Sequence, residues 1–85
     1  MKTLQAYVER KNKWEQLFGK GPLSLESAAD RKRIAGMIDA ELSPENLSCD
    51  GELHPSVVRE RHAFLTRAAR ELMSIDSTVS FYEFS

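Results

Sequence analysis

Proline stands at three positions in this 85-residue chain, 22, 44 and 55, and with Gly19, Gly21 and Gly51 it cuts the sequence into three stretches of helical period. Such spacing leaves few folds open. Proline cannot continue a helical ladder and glycine readily takes a left-handed cap, so each apolar period must end where these residues fall. Inside the stretches, apolar residues recur at three- and four-residue steps, which predicts amphipathic helices packed on one another.

The first helix is expected over about 2–18, with Leu4, Tyr7, Val8, Trp14 and Phe18 on one side. Gly19, Gly21 and Pro22 end it, and Trp14, Leu17 and Phe18 are expected in the core. Ser24 is a plausible N-cap for a second helix over about 25–42, with Glu26 favouring the positive end of its dipole. Ala28, Ile34, Ala35, Ile38 and Leu42 form its apolar stripe, whereas Glu26, Asp30, Arg33 and Glu41 are read as lying elsewhere. Ala28 and Ala35 are small enough for close helix approach. Gly36 marks either close packing or a tolerated outer position.

The connector over 43–54 is punctuated twice. Ser43-Pro44-Glu45 reads as an N-cap followed by proline at the first helical position, which starts one short turn through Leu47. Asp50-Gly51 then reverses the chain, and Leu47 and Leu53 are the expected anchors. Pro55 opens the third and clearest helix, about 55–74, with Val58, Leu65, Ala68, Ala69 and Leu72 inward and Val57, Phe64 and Met73 flanking. Arg67 and Glu71 make an i,i+4 pair on what is read as its exposed side. His54, just before Pro55, is read as a capping or surface residue.

The tail over 77–85 is β-branched and aromatic, and Phe81, Tyr82 and Phe84 crowd into it. No other segment looks able to pair with it as a strand. Either Val79 and Phe81 fold back onto the core in extended form, or the edge pairs with another chain. The expectation is a single all-α domain: a small antiparallel bundle of three main helices, with a short helical turn in the connector and an extended C-terminal tail.

Hydrophobic residues make up 41% and charged residues 29%, a globular balance, although a chain this short buries only roughly 60–65% of its unfolded surface. With a net charge of -1, the molecule as a whole has no pull on phosphate backbones or anionic membranes. The single cysteine cannot form an internal disulfide, and no apolar run is long enough to cross a bilayer. A cytoplasmic setting is the expectation.

From Asn46, the twelve residues NLSCDGELHPSV partly resemble the calcium loop of the EF-hand family. Asn46, Ser48 and Asp50 match loop positions one, three and five, Gly51 the glycine at six, Glu52 position seven and Leu53 the apolar position eight. The family's closing bidentate glutamate is replaced by Val57, its first aspartate by Asn46, and Pro55 occupies position ten. One certain carboxylate among the side-chain ligands is too few for a tight calcium site. Cys49, His54 and His62, even with Asp50 or Glu52, lack the paired short spacings of a zinc site. Cys49 has nothing to fix it as a nucleophile. No metal, cofactor or catalytic activity is expected.

Wound at about 100° per residue, the helices each place one cation on the apolar stripe: Lys11, Arg31 and Arg61. Either the long stems cover apolar surface while the heads reach water, or Arg31 and Arg61 pair with carboxylates across an interface. Arg59, Arg67 and Arg70 add a basic face to the third helix, diluted by Glu60 and Glu71. The connector is too long for a helix-turn-helix. The expected function is a small protein-protein interaction module, an adaptor, inhibitor or regulatory subunit, with a second copy as one possible partner. Its candidate interface is Arg31, Arg61, Phe81, Tyr82 and Phe84. The alternative is a nucleic-acid-binding regulator using Arg59, Arg67 and Arg70.

Overall fold

The helix that begins at Pro55 is the spine of the molecule. The computed structural model describes residues 2–17, 22–48 and 54–84, and the side chains among them except those of 14–17, 48 and 84. Chain order is α1 (Lys2–Leu17), α2 (Ala28–Leu42), α3 (Pro44–Ser48), α4 (Pro55–Ile75) and a terminal 3-10 turn (Tyr82–Phe84). Both α1 and α2 pack along α4 and only slightly on each other, while α3 touches α2 and α4. The fold is all-α, with three main helices and a short helical turn between the second and third, as the period and punctuation predict.

Local chemistry sets the boundaries. α2 begins at Ala28, not near Leu25, because Ser27 rather than Ser24 is its N-cap and accepts a hydrogen bond from the Asp30 N–H at 3.4 Å. Asp30 Oδ2 in turn accepts from the Ser24 N–H at 3.0 Å, and Leu25 and Glu26 form a turn ahead of the helix. The first bond satisfies a donor that the start of a helix leaves open, and the second ties the preceding turn to it. Ser43 serves two helices. Its N–H donates to Ala40 O at the end of α2, and its carbonyl accepts from the Asn46 and Leu47 N–H groups at 3.0 Å to start α3. At α4, His54 Nδ1 accepts from the Ser56 N–H at 3.2 Å, so the capping role read for His54 is the one it has.

Leu4, Tyr7 and Val8 of α1, Leu23 of the α1–α2 connector, Ile34, Ala35, Ile38 and Leu42 of α2, and Leu65, Ala68, Ala69 and Leu72 of α4 make one core. Leu4, Ile34, Ile38 and Leu72 are its largest sealed side chains, each worth about 1.5–3 kcal/mol in burial. Ala68 and Ala69 keep the α4 surface shallow where its neighbours approach. Leu47 packs against the edge of this core, as an anchor should. Val79 and Phe81 close it from the tail.

Several expectations move. Ala28 is exposed in the first turn of α2, so of the two alanines only Ala35 lies in the core. Gly36 faces outward, and a Cβ built there meets nothing within 4 Å. After Asp76 and a turn at 77 and 78, residues 79–81 run without regular structure into the 3-10 turn, so the extended part of the tail is shorter than 77–85. No strand occurs among the described residues. Phe18, Gly19, Gly21, Cys49, Asp50, Gly51, Glu52 and Leu53, with the side chains of Trp14, Leu17, Ser48 and Phe84, lie outside what is described.

Candidate functional site

Two of the three stripe cations converge on one carboxylate. Lys11 Nζ lies 3.2 Å from Glu41 Oε2 and Arg61 Nη2 lies 3.7 Å from Glu41 Oε1, while the Tyr7 hydroxyl donates to Glu41 Oε2. Lys11 also sits 5.4 Å from the centre of the Tyr7 ring. Burial foremost, then the Glu41 hydrogen bond and charge, push the Tyr7 phenol well above its ordinary pKa. Glu41 is therefore not on the outside of α2 as its charge suggested. It stands seven residues after Ile34, which returns it to the inner stripe.

The third cation, Arg31, is held at the end of α4. Its Nε donates to Asp76 Oδ2 at 2.6 Å, and its Nη1 to Leu25 O at 2.8 Å. Asp76 Oδ1 accepts from the Thr78 N–H at 2.9 Å and from the Thr78 hydroxyl at 2.5 Å. Together the Thr78 and Arg31 hydrogen bonds hold the Asp76 carboxyl down to about 2. Arg31 and Arg61 thus find their carboxylates inside the same chain, and both stay partly accessible at 22% and 40% of their side chains.

Candidate tail residues part company. Phe81 is buried at 4% exposure, whereas Tyr82 is exposed at 83%. What separates them is Asp39 on α2, whose carboxylate accepts from the Tyr82 N–H at 3.2 Å and the Glu83 N–H at 3.0 Å. These bonds fix the start of the 3-10 turn, from which the exposed Tyr82 ring projects. Phe84 lies on the same turn. Beside it, a groove of about 260 Å³ runs between α2 and the tail over Lys32, Ala35, Gly36, Thr78, Val79 and Ser80.

On α4, Arg59, Arg67 and Arg70 share one outward face with His62, Ala63 and Thr66, a sector of about 140° by helical winding. A groove of about 410 Å³ lies over His62, Ala63, Thr66, Arg67 and Arg70. Thr66 Oγ1 is buried without a hydrogen-bond partner. Arg67 Nε lies 3.7 Å from Glu71, but Glu71 turns toward α1 and accepts the Leu4 N–H at 2.9 Å. The acid read as part of the exposed side is instead the cap of the first helix.

Asn12 is a residue that sequence reasoning missed. Its Nδ2 donates to Leu23 O at 3.1 Å and its Oδ1 accepts from the Leu23 N–H at 2.6 Å, tying the connector to α1. Among the described residues, no three His, Cys, Asp or Glu side chains gather as a metal site, and no helix is long and apolar enough to cross a membrane. Compared with protein-family models, with curated proteins and with solved structures, the chain finds no match.

Proposed function

We propose that the chain is a small protein-protein interaction module of the cytoplasm, an adaptor, inhibitor or regulatory subunit without catalytic activity of its own, and that Tyr82 is its principal contact. One observation carries this reading: an aromatic ring at 83% exposure stands on a main-chain turn tied to Asp39 by two hydrogen bonds. A main chain already fixed before binding loses little further freedom when a partner covers the ring it carries. Exposed tyrosines with apolar bodies and polar tips are enriched among the residues that dominate interface energies.

A photo-crosslinking amino acid at position 82, compared with one at the exposed Gln5, tests the reading in the native host. The expected result is a discrete protein adduct from position 82 only, a second copy of the chain included. Equal adducts from both positions, or none, would sink it.

A second reading, a nucleic-acid-binding regulator, has one observation in its favour: Arg59, Arg67 and Arg70 do lie on a single face of α4. Affinity for phosphate backbones rises with the number of cations engaged, and this face offers three arginines in a chain of net charge -1. Binding to duplex DNA that falls steeply with salt would support this reading. A flat response at low salt would remove it.

A further inference from the structure

We infer that the outward face of α4 is a second docking surface, and that its occupant is an acidic amphipathic segment of a partner protein. The inference rests on the interaction reading above. Arg59, His62, Arg67 and Arg70 project from this face over about 16 Å of helix axis, and Arg59 and Arg70 have no ion pair among the described residues. Of the two acids beside the face, Glu71 is shared between Arg67, 3.7 Å away, and the Leu4 N–H of α1, and Glu60 is exposed to solvent. The 410 Å³ groove is lined by Ala63 and Thr66 together with His62, Arg67 and Arg70.

This combination selects among occupants. Guanidinium groups match carboxylates two bonds at a time, and the concave strip between them takes an apolar side chain. A phosphate backbone would use the arginines but leave the strip unfilled. A second copy docked through the same face would set Arg59 and Arg70 against their own counterparts, which like-charge repulsion opposes. An acidic segment with an apolar residue between its carboxylates satisfies both parts of the surface.

The test uses the full chain and a fluorescein-labelled helical peptide with glutamates flanking a central leucine, followed by anisotropy at low salt. Binding should occur, weaken as salt rises, and fall about tenfold with the double substitution Arg59→Glu and Arg70→Glu. Both arginines are exposed, so the variant should keep the helical signal and melting of the parent. Ala63→Trp, which fills the strip and spares every charge, should weaken binding as well. Failure of the peptide to bind, indifference to the double substitution, or tighter binding of a single-stranded oligonucleotide of equal charge would overturn the inference. A protein adduct from position 82 in a chain that ignores the acidic peptide would remove this second surface and leave the interaction module standing.

Discussion

Arg31 Nε and Asp76 Oδ2 lie 2.6 Å apart, so the first turns of α2 are joined to the residue that ends α4. Because Asp76 titrates at about 2 in the folded chain against an ordinary 3.8, its ionised form contributes stability above that ordinary value. This contribution fades as pH falls from there through about 2. Asp76→Asn should melt lower than the parent at neutral pH, with the gap closing as pH approaches 2. Thermal melts across this acid range check it, and parallel curves would show that Asp76 is not linked to folding.

Glu41 holds three partners, so its loss should exceed the loss of any one of them. Glu41→Ala leaves the buried Tyr7 hydroxyl unsatisfied, about 1–3 kcal/mol, and leaves Lys11 and Arg61 without their shared counter-charge. Lys11→Ala and Arg61→Ala each break one partly solvated pair and should cost under about 1 kcal/mol. Urea melts of the three variants give the ranking directly.

Asn12→Ala removes both hydrogen bonds to the main chain of Leu23, whose side chain is sealed in the core. A destabilisation of about 1–3 kcal/mol is expected, larger than a surface asparagine would give. Asn12→Asp, which keeps the acceptor and loses the amide donor, should fall between the parent and alanine in the same melts.

Gly36→Ala should stabilise the chain. The position is helical and outward with open space for a methyl group, so the gain is the helix-propensity difference of about 0.5–1 kcal/mol. A rise in Tm is the expected reading; a fall would point to a role for the groove that Gly36 lines.

Phe81 and Tyr82 offer a direct contrast between neighbours. Phe81→Ala opens the core and should cost about 3–5 kcal/mol, whereas Tyr82→Ala should leave the melt within about 0.5 kcal/mol of the parent. Deleting residues 79–85 should destabilise the monomer at least as much as Phe81→Ala.

Helix identity and order were readable because punctuation and period agree: Pro44, Pro55 and the stripes of Ile34, Ile38, Leu65 and Leu72 all point one way. The start of α2 was misplaced because Ser24 and Ser27 both qualify as caps, and only the Asp30 carboxylate, which takes the Ser24 N–H, decides between them. Glu41 was legible in principle. Its spacing from Ile34 and Ile38 puts it on the inner stripe, where the inward cations Lys11 and Arg61 require an inward acid, although its charge alone argues for the surface. Asn12 and Asp39 were not legible, since each binds main-chain groups distant in sequence whose positions depend on the finished fold. The same holds for the division of labour between Phe81 and Tyr82.

That α1 and α2 lean on α4 more than on each other bears on the order in which the molecule assembles. α2, α3 and α4 follow one another in sequence, and the longest tie among them, Arg31 to Asp76, spans 45 residues. α1 reaches its place on α4 only through contacts such as Leu4 to Glu71, which span 67 residues. Closing the longer loop carries the larger entropy cost. Native-state hydrogen exchange reads the consequence: the expected outcome is that the α1 amides exchange ahead of those of α2 and α4.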